Sequence, residues 1–284
     1  MSTAAAETEV LLAGLTFPEA PRWRDGKLWL SDFYSYRVLT VDPAGRSETV
    51  VHVPQRPSGL GWTQGGQLLV VAMLERGVLR LADGKLVPYA DLSALAGGLC
   101  NDMVVDTAGR AYVGNFGFDR HAGEAPRTTC IARVDPDGRI ERAADDLMFP
   151  NGMVISPDGK RFIVAETYAN RLTAFDVGAT GALLNRRVFA ELGDCFPDGI
   201  CLDAEGAVWV ADARGQRVIR VLDGGRIART VSTAAQGSYA CMLGGEDRRT
   251  LFICTSSGSG PAMAEKRDGR IERVHVDVPG AGLP

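Results

Sequence analysis

The chain has little to offer a nucleic acid, a membrane or a soft metal. Its 31 basic and 35 acidic residues nearly balance, so no positive field exists to draw a phosphate backbone. Only four of the basic residues are lysines (Lys27, Lys85, Lys160, Lys266), and the arginines are scattered rather than clustered. No apolar run approaches the roughly 20 residues that a membrane helix requires. The opening MSTAAAETEV has no basic stretch leading into a long apolar one, which argues against a secretory signal and for a cytoplasmic protein. Histidine is scarce (His52, His121, His275), and the six cysteines form no Cys-x-x-Cys pair, so a Cys/His zinc site is not expected. Cys100, Cys130, Cys195, Cys201, Cys241 and Cys254 are expected as free thiols, several of them within apolar strands, in a reducing compartment. Helical periodicity is also nearly absent, the nearest candidate being one turn within 90–99.

Glycine is what the chain has in excess, 34 residues beside 14 prolines. That composition demands many turns, while the 45% hydrophobic content is too high for disorder. The turns prove periodic. Short apolar triplets recur at Leu28-Trp29-Leu30, Leu68-Leu69-Val70, Ala111-Tyr112-Val113, Phe162-Ile163-Val164, Val208-Trp209-Val210 and Leu251-Phe252-Ile253. Most follow a Gly-containing turn such as RDGK, TAGR or PDGK, which suits tight hairpins that need positive φ. An apolar run precedes each turn and another strand-like run follows each triplet. The unit is therefore about four short strands, and it occurs six times. The residues before the first strand of each unit, Glu19, Ser58, Asn101, Asn151, Asp198 and Tyr239, are spaced by 39, 43, 50, 47 and 41 residues. Such a period fits a β-propeller blade. The expectation is an all-β, six-bladed propeller filling residues 1–284 as one domain. Its blades fall at about 18–55, 56–95, 99–147, 149–194, 195–235 and 237–282, and an N-terminal strand at 7–17 closes blade six. A β-sandwich or a pair of small barrels would supply short strands but not six copies in phase.

In a propeller the first strand of each blade lines the channel, so those six residues should converge at one mouth. Four of them, Glu19, Asn101, Asn151 and Asp198, carry a carboxylate or carboxamide oxygen. Asn-Gly and Asp-Gly are ordinary turn formers, but four oxygen donors at one phase of a repeat are not explained by turns. Two anionic and two neutral oxygen donors suit a hard divalent cation, Ca²⁺ above all, with Zn²⁺, Mn²⁺ or Mg²⁺ as alternatives. Blade three carries a long insertion at 118–128, a candidate lid that would bring His121 over the mouth. A second loop with Gly and Ser runs through 256–269. Phe33, Tyr34 and Tyr36 follow blade one's second strand and could wall an apolar pocket.

The stretches Glu19-Ala-Pro-Arg-Trp23, Asn101-Asp-Met-Val-Val-Asp-Thr-Ala-Gly-Arg110, Pro150-Asn-Gly-Met-Val-Ile-Ser-Pro-Asp-Gly-Lys160 and Pro197-Asp-Gly-Ile-Cys-Leu-Asp203 resemble the regucalcin/gluconolactonase/luciferin-regenerating-enzyme family. The resemblance runs from about residue 15 to residue 256. It implies a six-bladed propeller with one catalytic divalent metal in the channel, held by Glu19, Asn151 and Asp198, with Asn101 as ligand or substrate contact. It also implies lactone hydrolysis with Asp198 as the catalytic carboxylate, either base or nucleophile. The donor set is similar, too, to that of the calcium-dependent diisopropylfluorophosphatases. Two positions depart from the sugar-lactonase pattern: Leu99 stands where an Arg is usual, and Tyr239 where a small Thr is frequent. Both point to an apolar or aromatic lactone rather than an aldonolactone, with Leu99, Asn101, Tyr239 and His121 as expected substrate contacts. The implied partner is a small-molecule lactone, with neither nucleic acid nor membrane. An organophosphate or activated-ester hydrolase at the same metal, or a non-catalytic calcium-binding propeller, remain alternatives at this stage.

Overall fold

A computed structural model describes residues 8–120, 122–233 and 236–281, so His121 lies outside the described residues. The backbone forms six four-stranded antiparallel sheets arranged as a propeller. Blade one runs through Pro18–Arg24, Lys27–Asp32, Arg37–Val41 and Ser47–His52. Blades two to five begin at Pro57, Cys100, Pro150 and Pro197 and repeat the same meander. Blade six consists of Gly237–Gly244, Thr250–Ser256 and Gly269–His275, with Glu9–Leu15 from the other end of the chain as its outermost strand. That pairing closes the ring and leaves no open junction between first and last blades. No described helix is long and apolar enough to cross a membrane. Within 90–99 the chain makes a single turn, with the Ala96 N–H donating to Leu92 O at 2.8 Å.

The core lies between blades, where alternate side chains of neighbouring sheets interlock. Leu28, Leu30 and Leu39 of blade one pack with Leu251, Ile253 and Ile271 of blade six. Tyr112 and Ile131 of blade three meet Phe162 and Val164 of blade four. Trp29 lies edge-on to Trp62 at 5.5 Å and Trp209 is fully buried, so these tryptophans are packing residues. All six cysteines are buried and free, as expected from their apolar surroundings.

The six inner strands share an irregularity that positions the site. In each, the ladder with the second strand slips at the residue singled out by the repeat or immediately beside it. The shifts fall between Glu19 and Arg22, Pro57 and Leu60, Cys100 and Met103, Pro150 and Met153, Pro197 and Ile200, and Ser238 and Ala240. A bulge of this kind re-aims a side chain out of the pleat. The glycines that follow serve a second need. A Cβ on Gly152 would sit 2.5 Å from Ile200 N, and one on Gly199 would sit 2.5 Å from Ala240 Cβ. At these two positions the inner strands approach so closely that only glycine fits between them. Asn151-Gly152 and Asp198-Gly199 are steps within the inner strands and not hairpin turns. Ala20 is the counterpart after Glu19, and it adopts a left-handed φ of 48°, a strained conformation of the kind that collects at functional sites.

Candidate active site

The bulged inner strands bring five of the six repeat positions together. Glu19, Asn101, Asn151 and Asp198 all line one cavity at the channel mouth, with Tyr239 beside them. The cavity encloses about 130 Å³ and opens at the mouth. Ser58, the remaining repeat position, is fully enclosed and donates to Asn101 Oδ1 at 3.3 Å. Asn101 Nδ2 in turn donates to Asn151 Oδ1 at 2.9 Å, and Asn151 Nδ2 to Thr167 Oγ1 at 3.2 Å. Thr167 Oγ1 then donates to Pro197 O at 2.7 Å, next to Asp198. One chain of hydrogen bonds therefore runs from blade two to blade five across the floor.

Burial, followed by the charge of Asp198, holds the Glu19 carboxyl well above the ordinary carboxylate range. Burial also pushes Asp198 up, with the positive charge of Arg120 opposing and that of Asp102 reinforcing the shift. The Tyr239 hydroxyl is pushed up to about 12, by burial first and then by the charges of Asp198 and Glu19. Two enclosed carboxylates, both held high by burial and one raised further by the charge of the other, are an arrangement which a cation would relieve. Among the described residues no cluster of three or more His, Cys, Asp or Glu side chains is placed to hold a metal ion. The candidate donor set differs in kind, two carboxylates and two carboxamides, all oxygen, which fits a hard divalent cation. Beneath it, Arg22 donates to Asp102 Oδ1 at 2.8 Å and to Met103 O at 2.6 Å, bracing blade one against blade three.

The wall is aromatic. Phe149 stacks on Phe116 at 4.5 Å and meets Tyr168 edge-on at 5.0 Å. On the other side Phe17 lies edge-on to Tyr239 at 4.8 Å and to Phe33 at 5.2 Å. Phe33 and Tyr34 line the cavity, whereas Tyr36 does not and is exposed. Leu99 is not itself a lining residue: it precedes the inner strand and packs against the cluster that contains the wall residues Phe17, Phe33, Phe116, Phe149 and Tyr239, its carbonyl accepting from Phe116 N–H at 2.9 Å. The insertion after Phe116 does reach the mouth, because Arg120 lines the cavity and donates to Ser259 Oγ in the blade-six loop at 3.0 Å. Sequence reasoning missed Arg56, Arg120, Arg214, Phe149, Tyr168 and Phe196, all cavity residues. Arg56, Phe149 and Phe196 stand two residues before Ser58, Asn151 and Asp198, the offset of Phe17 from Glu19, so a second phase of the same repeat could have found them.

Residues 17–257 match the model of the SMP-30/Gluconolactonase/LRE-like region. The chain is 29% identical over 280 residues to 6-deoxy-6-sulfogluconolactonase of Pseudomonas putida, covering 94% of this chain and 93% of that one. It is 30% identical over 273 residues to pentonolactonase XacC of Haloferax volcanii, covering 92% and 89%. Among solved structures, a luciferin-regenerating enzyme superposes with a TM-score of 0.84 at 21% identity, over 98% of this chain and 99% of that one. Regucalcin from Agrobacterium tumefaciens superposes with a TM-score of 0.82 at 23% identity, over 98% and 97%. The extent of the family match, together with six blades whose inner strands carry the quoted motifs, means that the chain belongs to the SMP-30/gluconolactonase/LRE-like family.

Proposed function

We propose that the protein is a metal-dependent hydrolase that opens a lactone with an apolar or aromatic ring system, Asp198 acting as the catalytic carboxylate. The observation that carries this reading is the convergence of Glu19, Asn101, Asn151 and Asp198 at the floor of an aromatic-walled cavity. Membership of a family with named lactonases supports the reaction class. Those relatives are named for sugar lactones; the ring of Phe17, Phe33, Phe149 and Tyr168 around this cavity favours a less polar ring.

Glu19, Asn101, Asn151 and Asp198 would hold the cation, for which calcium is the best match to their oxygen chemistry. When bound, it supplies Lewis acidity at the lactone carbonyl oxygen and offsets developing negative charge there. The chain's own contributions are orientation and proton transfer. The Ser58–Asn101–Asn151–Thr167 hydrogen bonds fix the two amides. Stacked rings hold the lactone ring against the floor and exclude bulk water. Asp198 acts as its carboxylate, which burial makes a stronger base, and accepts the proton of the attacking water as the new C–O bond forms. It returns that proton to the ring oxygen as the ring C–O bond breaks. The net change is addition of one water, giving a hydroxy acid.

The test is hydrolysis by chelator-stripped protein of aldonolactones, alkyl lactones and aromatic lactones, with and without Ca²⁺, Mn²⁺, Mg²⁺ or Zn²⁺. Cation-restored cleavage centred on aromatic or alkyl lactones is the expected result. Efficient cleavage of gluconolactone alone would overturn the ring preference and keep the reaction. Cleavage of none would overturn the reaction and turn attention to organophosphates, activated esters or binding alone.

A further inference from the structure

The rim of the same cavity carries charge opposite to its floor. Arg56, Arg120 and Arg214 all line it. None of the three forms an ion pair with a carboxylate among the described residues, whereas Arg22, Arg110, Arg133, Arg171 and Arg220 on the blades are each paired. Arg56 lies over the Tyr34 ring, 5.2 Å from its centroid, and its Nε is buried with no hydrogen-bond partner. Tyr34 donates its hydroxyl hydrogen to Ser259 O at 2.8 Å, and Arg120 donates to Ser259 Oγ at 3.0 Å. Arg56 and Arg120 are thus tethered to opposite ends of one Tyr34–Ser259 link. Arg214 lies over Phe196, 4.0 Å from its centroid.

Aromatic faces pre-order a guanidinium while leaving its N–H edge free, the geometry in which arginine recognises oxyanions. Compensation of the acidic floor does not account for this set. Arg120 influences Asp198 through space, but no hydrogen bond joins them, and Arg56 and Arg214 form no ion pair with Glu19 or Asp198. A divalent cation on the two floor carboxylates would cancel their charge and leave three guanidiniums facing the cavity.

Resting on the lactonase reading, we infer that the substrate carries an oxyanion substituent, a carboxylate or sulfonate, on the side of the ring away from the scissile carbonyl. Arg56 and Arg120 grip it beside Tyr34, and Arg214 adds to the positive field from across the mouth. These residues set specificity; the reacting atoms stay with the floor.

The test compares one lactone in three forms, with a remote carboxylate, sulfonate or carboxamide. kcat/KM is measured for cation-loaded wild type, Arg56→Met, Arg120→Met and Arg214→Met. Binding of non-hydrolysable carbocyclic analogues bearing the same three substituents is measured by calorimetry. The wild type is expected to prefer the charged forms over the carboxamide by about tenfold or more, the order expected of a hydrogen bond to a charged group. The preference should appear mainly in KM, shrink as salt screens the exposed groups, and fall by roughly tenfold in Arg56→Met and Arg120→Met. Which charged form binds more tightly identifies the oxyanion. Equal cleavage and equal binding of charged and neutral forms, or a preference untouched in both variants, would overturn the anion site and leave the lactonase reading standing. Arginine-dependent binding of the charged analogues with cleavage of no lactone would do the reverse.

Discussion

Asn101 Nδ2 donates to Asn151 Oδ1 at 2.9 Å, joining the inner strands of blades three and four across the cavity floor. The bond matters because each amide has a second partner, Ser58 on one side and Thr167 on the other. An amide so held presents a fixed face to whatever binds beside it. Thr167 is the natural point to break the chain, since its hydroxyl accepts from Asn151 and donates to Pro197 O. Thr167→Val keeps the shape and removes both bonds. Loss of an orienting partner typically costs about 10–100-fold in affinity or activity, and kcat/KM is expected to fall by that amount. Cation affinity, followed by calorimetry, should fall with it. Undiminished cation affinity and activity would show that the chain does not position Asn151.

Asp198 and Glu19 have different assignments, and isosteric substitutions separate them. Asp198→Asn removes the proton acceptor and is expected to abolish measurable turnover even at saturating cation. Glu19→Gln removes one charge from the cation's surroundings; activity should return as cation concentration is raised. The readout is kcat as a function of cation concentration for each variant. Recovery of Asp198→Asn at high cation would remove the case for a separate proton-transfer role.

The raised carboxyls of Glu19 and Asp198 also predict how stability depends on pH. Without a cation, both groups keep their protons in the fold to higher pH than in the unfolded chain, where carboxyls titrate near about 4. Folding therefore takes up protons. Their contribution is fully present below the unfolded value and is lost as pH rises through the raised native values. Groups held low act elsewhere. At Glu166, burial is outweighed by bonds from Arg171 and Thr173, and that stability is lost only as pH falls below the ordinary range. Chelated protein should thus lose Tm between pH 5 and pH 8 by roughly the effect of up to about 1.4 kcal/mol per pH unit for each group. Calcium at a hundredfold excess over its Kd should restore about 2.7 kcal/mol. Scanning calorimetry across that range decides it; a Tm that rises with pH in the chelated protein contradicts the raised values.

Much of this architecture was legible because a propeller blade is encoded locally. Each hairpin is announced by its turn residues, each strand by alternation, and the six copies share one phase. That phase identified Glu19, Asn101, Asn151, Asp198 and Tyr239 as neighbours in the cavity they now line. Part of the wall was periodic too: Arg56, Phe149 and Phe196 stand two residues before Ser58, Asn151 and Asp198, a second phase of the repeat beside the one that was read. Arg120 sits in an insertion and Arg214 follows a second strand, and no local pattern marks the direction in which either points. The Leu99 expectation followed a family position; here its side chain supports the wall cluster without itself lining the cavity. The Arg22–Asp102 pair spans 80 positions and depends on closure of the ring, a global property that no short pattern reports.

The close approach of the inner strands yields a stability test with an internal control. In Gly199→Ala the new Cβ would lie 2.5 Å from Ala240 Cβ and 2.6 Å from Ala240 Cα. Backbone atoms of blade six cannot rotate aside, so blade five's inner strand must move, carrying Asp198 with it. Overpacking of this kind costs about 1–3 kcal/mol. Gly206→Ala, in the hairpin of the same blade, meets nothing within 4 Å, and its cost comes from a φ of 78°. A left-handed alanine costs about 1–2 kcal/mol, so the two variants should lose comparable stability. They should differ in function. Gly206→Ala is expected to keep wild-type kcat/KM below its melting transition, while Gly199→Ala loses tenfold or more, by the order of one pKa-sized increment of about 1.4 kcal/mol. Denaturant melts and kinetics on the same preparations separate the effects. Equal activity in both would mean that the interstrand contact does not position Asp198, and that the glycine serves packing alone.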